Sequence, residues 1–312
     1  QDPVVQFRFL ELFMGLSKSH TPEINVSDLF AAFITDIKAL LCNGQDQLLQ
    51  ANAVLTVQNC MQCSADFSLL QQHGIIAILL SLLPRAEQHE TFSASVACQV
   101  LDLFAHCAAL NIINSEFLLS ADITASLRHC VDSSDDSIIA SAVYTIGALA
   151  QSVELVDTMR PLLPTIEDSL VHGVASVQIS ALHAIGLMYM NDCSENKTKQ
   201  QFIMRLNTRL QGKLFHWLFE RCLSNFDEQK RAAYFALKGV LTSSVGLILA
   251  LDTSTIVSDL IKRESDTSLS GSNWKYSILE ALYTTPSLHS ILNQALQDQI
   301  RTYLGQGVVF VS

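Results

Sequence analysis

Charged residues and helix-breaking residues are both scarce in this chain of 312 residues. Charged side chains make up 16% of it, and there are only 12 Gly and 6 Pro. A disordered chain needs more charge than this, and a chain with frequent tight turns needs more Gly and Pro. Because hydrophobic residues reach 49%, we expect a folded chain that is either two domains or an elongated array of repeats.

Positively charged residues are fewer than negatively charged ones. Lys and Arg number 19 against 30 Asp and Glu, which gives a formal net charge of −11. The negative electrostatic field of this net charge repels a phosphate backbone, and no block of Lys and Arg offsets it. Nucleic acid is therefore excluded as the main partner. The same field would attract a basic protein surface, although acidic proteins without a basic partner are also common.

Long apolar runs are absent. The longest, Gly74–Leu83, is interrupted by Ser81 and reaches half of the roughly 20 residues that a membrane-spanning helix needs. The chain starts at Gln1 without the charged and apolar regions of a signal peptide. Eight Cys lie at irregular distances in apolar segments, as buried small hydrophobes do. We therefore expect no membrane segment and a reducing location, cytoplasmic or also nuclear.

Apolar residues recur at helical spacing almost throughout, which predicts an all-α protein. Helix starts recur roughly 40 to 50 residues apart, the period of HEAT and armadillo repeats. Each start opens a first helix, and a second apolar helix follows it. The predicted first helices are Asp46–Asn59, one from near Thr91, Asp135–Ala150, one from near Ser176, Asp227–Leu241, and one from near Asn273. The predicted second helices are Ile75–Leu83, Ile123–Val131, Leu162–Val171, Lys213–Leu223, Thr255–Arg263 and Leu296–Leu304.

Small residues recur at one position of the first helices, at Ala142, Ala181 and Ala233. Their return at the repeat period indicates close helix packing. We predict one curved α-α superhelical solenoid over residues 1–312, with about six or seven repeats. The helix from Asp2 to Leu16 is apolar nearly all round, whereas a terminal cap exposes a polar face, so we expect repeats before it in the parent protein.

Motifs of catalysis and metal binding are missing. Cys60 and Cys63 form the only Cys-x-x-Cys pair, and no second pair completes a zinc site. We place both late in an apolar helix as core residues, with metal or redox use as the alternative. There is no nucleophile elbow, phosphate-binding glycine loop or zinc-protease helix. We therefore predict no enzyme activity, no cofactor and no metal.

Two polar segments could lie at a protein interface. The acidic pair Glu167 and Asp168 fits a solvated helix face or an acidic contact in a groove. The segment from Arg205 to Arg221 interleaves basic and aromatic residues. Trp and Arg are frequent interface anchors, whereas pure core packing is the alternative for its aromatic residues.

Several segments resemble the C-terminal part of the 26S proteasome non-ATPase regulatory subunit 5 family. The most distinctive are Lys275–Leu282 and Ile300–Gly307. Collinear matches upstream are Val5–Leu12, Gln71–Ile76, Ala142–Gly147 and Ala232–Lys238. One departure is Val308, where the family tends to have Pro. Family members are longer at the N-terminus, in agreement with the apolar first helix.

The resemblance implies a HEAT-like assembly chaperone without enzyme activity. Such a protein binds the C-terminal domain of an AAA-type ATPase subunit while the base of the proteasome regulatory particle is built, and then leaves the finished particle. From helix geometry we predict that polar and aromatic side chains of the second helices hold this partner in a concave groove. The predicted binding residues are Arg128, Asp168, His172, Trp217, Glu220, Arg221, Asp259 and Lys262.

Two other functions remain open. A general armadillo or HEAT adaptor would bind an extended peptide, but such proteins often carry a ladder of Asn and Trp, and this chain has only Trp217 and Trp274. An enzyme on a helical scaffold is disfavoured by the missing motifs, and it would need an enclosed polar pocket with converging titratable groups.

Overall fold

The computed structural model describes residues 26–84, 93–113, 117, 123–190, 196–266 and 268–308. All regular structure in these ranges is helical, which confirms the predicted all-α, helical-repeat class. The chain divides into two compact units, Gln1–Ile146 and Gly147–Ser312. The number of repeats, the curvature and the single solenoid over the whole chain stay predictions.

The first unit is built around two long helices that pack against each other. Its helices are α1 (Val26–Leu41), α2 (Gln47–Cys60), α3 (Ser64–Gln72), α4 (Ile75–Ser81), α5 (Ala94–Ala109), α6 (Ile123–Val131) and most of α7 (Asp136–Leu149). Helix α2 packs against α1 and α5. Val54, Val57, Val100 and Phe104 are buried there and form the core.

The second unit continues the pattern with one long helix in each repeat. Its helices are α8 (Val156–Met159), α9 (Leu163–His172), α10 (Ala175–Met190), α11 (Lys197–Arg209), α12 (Leu214–Cys222), α13 (Asp227–Leu241), α14 (Ser244–Thr253), α15 (Ile256–Ile261), α16 (Leu269–Thr284), α17 (Pro286–His289) and α18 (Gln294–Gly305). Short 3-10 helices at Arg160–Leu162 and Arg263–Ser265 join neighbouring elements. The most extensive helix pair is α10 with α13.

The repeats contain three helices, where the sequence predicted two. A long helix such as α10 or α13 is followed by a middle helix, α11 or α14, and then by a third helix, α12 or α15. The predicted second helices are these third helices, and Ile123–Val131 is correct to the residue. The middle helices were missed because α11 is largely polar and α14 follows α13 after only two residues.

Asp, Ser and Thr at the predicted helix starts are good N-caps, and polar caps do start many of these helices. The Asp46 carboxylate accepts hydrogen bonds from the backbone amides of Leu48 and Leu49, at 3.1 and 3.0 Å. Asp135 Oδ1 accepts from the Ser137 amide at 2.8 Å, and hydrogen bonds to Ser137 lower the pKa of Asp135. Such caps satisfy amides that have no partner in the first turn of a helix.

One predicted start is wrong. Helix α16 begins at Leu269 rather than near Asn273. The Ser268 hydroxyl accepts a hydrogen bond from the Gly271 amide at 3.1 Å, which caps the helix one turn earlier. The polar sequence Ser265–Ser272 predicts a loop, but the residues from Leu269 onward belong to the first turns of α16.

The recurring small residues pack helices closely, as predicted. Ala142, Ala181 and Ala233 are fully buried. A Cβ atom on Gly186 would lie 2.3 Å from the Phe235 ring, and one on Gly239 would lie 2.6 Å from the Gly186 carbonyl oxygen. Helices α10 and α13 therefore approach at a distance that only glycine permits.

Two buried lysines donate hydrogen bonds to backbone carbonyls near helix ends in the second unit. Lys199 Nζ donates hydrogen bonds to the carbonyl oxygens of Gln151 and Met188, at 2.8 and 2.6 Å. Lys275 Nζ donates to the carbonyl of Lys262 at 2.9 Å, and burial lowers the pKa of this lysine. Both side chains satisfy backbone carbonyls near the ends of helical segments, where such groups lack intrahelical partners.

Some sequence predictions fall outside the described residues. These are the helix of residues 2–16, a loop that the polar residues 87–91 predict, and most of a loop that residues 191–199 predict, of which Lys197 onward is helical. The helix predicted to start near Thr91 is α5, which begins at Ala94 after the N-cap Ser93. The apolar residues 308–311 follow Gly305 and Gly307, which predicts an extended tail, and only Val308 of this segment is described.

No single described helix is long and apolar enough to cross a bilayer. Helices α13 and α14 reach that length and composition only as a pair, across a bend of 102°.

Candidate binding surfaces

The predicted binding residues all lie on third helices or directly after one. Arg128 is exposed in the last turn of α6, in the first unit. The other residues belong to the second unit: Asp168 and His172 on α9, Trp217, Glu220 and Arg221 on α12, Asp259 on α15, and Lys262 at its C-cap. We call the exposed and half-buried side chains of α9, α12 and α15, together with Lys262, the third-helix surface.

At the α9 end of this surface, the two acids have different roles. Glu167 is only 6% exposed, so the solvated-face interpretation is wrong for it. Its carboxylate lies 2.8 Å from Arg205 Nη2, and burial raises the pKa of Glu167 against the lowering effect of Arg205 and Arg209. Asp168 is exposed and forms an ion pair with Arg209. Both arginines come from α11, so the pairs join neighbouring repeats.

Trp217 and Arg221 form a stacked pair on α12. The Arg221 guanidinium lies 3.2 Å from the centroid of the Trp217 ring. Burial lowers the pKa of Arg221, and Glu220 partly offsets this effect. The stacked pair is half-buried, a geometry that both a core and an interface can use.

Two further polar side-chain pairs complete the third-helix surface. His216 Nε2 lies 3.1 Å from Glu220 Oε1, with both side chains more than half exposed. Lys262 Nζ lies 2.7 Å from Asp259 Oδ1. Burial raises the pKa of Asp259, but hydrogen bonds from Lys262 and Thr255 outweigh it, so the pKa is lowered. His172 is exposed at the end of α9.

A buried ion pair fixes the positions of α13 and α16. Lys230 Nζ lies 2.8 Å from Asp266 Oδ2, with the two side chains 11% and 5% exposed. Asp266 also accepts hydrogen bonds from the Tyr234 hydroxyl at 3.0 Å and the Ser268 amide at 3.0 Å. Burial raises the pKa of Asp266, but these hydrogen bonds, led by that of Lys230, outweigh it and lower the pKa.

A cleft of about 500 Å³ lies along the long helices α10, α13 and α16. Its apolar lining includes Met190, Phe235, Trp274 and Ala281, and Lys238 contributes a charge. The predicted groove was on the third helices, so this cleft on the long helices is a site that sequence reasoning missed.

An aromatic row of His183, Phe235 and Trp274 runs from one repeat to the next, and its last two members line this cleft. The His183 and Phe235 rings lie 5.9 Å apart, and Phe235 and Trp274 lie 6.4 Å apart. Burial lowers the pKa of His183. His183 and Phe235 each stand two residues after a recurring alanine, Ala181 or Ala233. That shared offset was a signal in the sequence that could have revealed the row.

A smaller cavity of about 360 Å³ lies between the segment after α15 and helix α18. Arg263 lines it and lies 4.2 Å from the centroid of the Tyr303 ring. Its guanidinium donates to the carbonyl oxygens of Tyr303 and Gly307, both at 3.0 Å. Arg263 therefore holds the end of α18 in place.

The Cys-x-x-Cys pair lies at two helix ends. Cys60 is buried as the last residue of α2, as predicted. Cys63 is exposed at the N-cap of α3, with its sulfur 3.3 Å from Asp66 Oδ2. The prediction that both lie inside one helix is wrong, because α2 ends between them. Within the described ranges, no three His, Cys, Asp or Glu side chains converge to hold a metal ion.

Comparisons with known proteins match a family and a fold. A family model described as proteasome non-ATPase 26S subunit matches residues 1–312. No curated protein sequence matches the chain.

Solved structures with similar helical arrangements include engineered proteins. One is 14% identical, with 95% of this chain and 77% of that chain covered at a TM-score of 0.52. Another is 14% identical, with 86% and 98% covered at a TM-score of 0.50. A designed armadillo repeat protein is 18% identical, with 87% and 98% covered at a TM-score of 0.49. The first two of these structures are similar to this chain in fold only.

Proposed function

Because this chain belongs to the family of proteasome non-ATPase 26S subunits, we propose that it is a non-catalytic chaperone for assembly of the regulatory particle base. The family match over residues 1–312 carries the proposal. In it, the chain binds the C-terminal domain of an AAA-type ATPase subunit, blocks premature docking, and leaves the finished particle. It acts in the cytoplasm and also in the nucleus, without a cofactor.

The third-helix surface is the partner site in this proposal. Its exposed acids, Asp168 and Glu220, are held by neighbouring Arg209 and His216. Exposed ion pairs of this kind contribute only about 0–1 kcal/mol to stability. A basic partner surface can therefore replace Arg209 and His216 as the partners of these carboxylates at a low cost in free energy. Before binding, the same pairs hold the carboxylates in position.

Two further features support this assignment. The net charge of −11 speeds encounter with a basic surface, in a salt-dependent way. The half-buried Trp217 and Arg221 are the residue types that most often anchor protein interfaces. The surface thus combines charge for encounter with an aromatic anchor.

The test is capture of recombinant AAA-type ATPase subunits by the tagged chain. Asp168→Lys combined with Glu220→Lys reverses both exposed acids, and we expect about tenfold weaker capture. The matched control is Glu154→Lys with Asp252→Lys, which changes the net charge equally at exposed residues outside the third helices. Capture unchanged by the first pair removes these acids from the interface, and no capture by the unmodified chain contradicts the proposed function.

A further inference from the structure

The cleft on the long helices differs in chemistry from the third-helix surface. Phe235 and Trp274 are half-buried in its lining, and Met190 at its rim is 51% exposed. Exposed methionines beside aromatic rings are typical of surfaces that bind apolar side chains, because the thioether adapts to different shapes. A volume of about 500 Å³ is in the range of ligand-binding clefts.

Lys238 supplies the charge of the cleft. Its Nζ lies 2.7 Å from the hydroxyl oxygen of Ser277, which is a neutral group. Within the described part of the chain, no carboxylate lies within ion-pair distance of this Nζ, whereas Lys230 on the same helix is paired with Asp266. The Thr242 hydroxyl, also in the lining, is satisfied by the Lys238 carbonyl oxygen at 2.8 Å. Lys238 therefore leaves the cleft with an uncompensated positive charge beside an apolar floor.

We infer that this cleft binds a peptide segment of a partner protein that presents one large aliphatic or aromatic side chain beside a carboxylate. The apolar side chain lies against Phe235 and Trp274, and the carboxylate accepts a hydrogen bond from Lys238 Nζ. Charge complementarity selects this occupant, since the cation has only a neutral hydroxyl as its partner. The inference does not rest on the proposed function, because it concerns long helices rather than the third-helix surface.

Trp274 provides a local reporter of occupancy. The chain has two Trp, so Trp217→Phe leaves Trp274 as the only tryptophan fluorophore. The probe is a capped eight-residue peptide of Gly and Ser that carries Phe followed by Glu at its centre. Matched peptides carry Phe followed by Gln, or Ala followed by Glu. We expect a saturable change in Trp274 fluorescence with the first peptide and about fivefold weaker binding of each matched peptide.

Three variants in this background locate the binding. Lys238→Gln should weaken the Phe-Glu peptide about fivefold and leave the Phe-Gln peptide unchanged. Ala281→Phe fills the cleft and should abolish binding of both, with circular dichroism to verify the helical fold. Lys213→Gln, at an exposed position outside the cleft, is the control for loss of one positive charge.

Three results would overturn the inference. One is no fluorescence change with any peptide up to about 1 mM, a concentration that corresponds to very weak binding. Another is peptide binding that Lys238→Gln leaves intact. The third is self-association of the chain that Ala281→Phe abolishes in analytical ultracentrifugation, because the occupant would then be a second copy. None of these depends on ATPase capture, so the proposed function is judged separately.

Discussion

The two surfaces of the second unit use different physical chemistry. On the third-helix surface, exposed polar side chains pair with one another, as in Asp168 with Arg209 and Glu220 with His216. The long-helix cleft is lined by Phe235, Trp274 and Lys238, whose Nζ has a neutral hydroxyl as its partner. One repeat architecture therefore presents an adaptable polar face and a shaped apolar cleft from different helices of the same repeats.

The largest effect on stability is expected for the buried ion pair that fixes α13 and α16, two of the helices that line the cleft. Asp266→Asn leaves Lys230 without its buried carboxylate partner, so we expect the free energy of unfolding to fall by about 3 kcal/mol. Urea denaturation at pH 7 measures it. Asp252→Asn, at an exposed position, is the matched control and should change the value by less than about 0.5 kcal/mol. A loss under about 1 kcal/mol for Asp266→Asn would mean that the ion pair does not hold α13 and α16.

The same aspartate predicts a pH dependence. Its folded pKa is lowered, so its stabilising contribution is present above the unfolded pKa of about 3.9 and is lost as pH falls through the folded pKa. The difference in unfolding free energy between the unmodified chain and Asp266→Asn should therefore shrink below about pH 4. A difference that stays constant down to about pH 2.5, roughly 1.4 units below the unfolded pKa, contradicts the assigned pKa direction.

A smaller effect is expected where α10 meets α13. Gly239→Ala places a methyl group 2.6 Å from the Gly186 carbonyl oxygen. Overpacking costs about 1–3 kcal/mol, and the higher helix propensity of Ala returns up to about 1 kcal/mol, so we expect a net loss of about 1–2 kcal/mol. Thermal unfolding measures it. Gly305→Ala, where a Cβ atom meets nothing within 4 Å, is the control and should not destabilise the chain.

The smallest effect is expected on the third-helix surface. Glu220→Gln breaks its pair with His216, but both side chains are more than half exposed, so the unfolding free energy should change by less than about 0.5 kcal/mol. Chemical denaturation compares it with the unmodified chain. A loss above about 1 kcal/mol would show that this pair stabilises the fold, and the contrast between the two surfaces would then be wrong.

Much of the fold could be predicted because local signals agree with it. Asp46 caps α2, α6 runs from Ile123 to Val131, and the recurring alanines Ala142, Ala181 and Ala233 are buried. Helical periodicity and capping depend on nearby residues, so a single sequence contains them.

The surfaces were harder to predict because they depend on neighbouring repeats. Asp168 was selected as a binding residue, but its partner Arg209 lies on α11, a middle helix that the sequence patterns did not predict. The cleft depends on how closely α10 and α13 approach at Gly186 and Gly239. The sequence showed the small residues but not the cavity beside them.

The most direct test of the proposed chaperone role is to mix the tagged chain with free AAA-type ATPase subunits, and separately with finished 26S proteasome, and to separate each mixture by sedimentation. The proposal predicts that the chain sediments with the free subunits and is absent from the finished particle. Stoichiometric retention in the finished particle, or binding to neither, would contradict it.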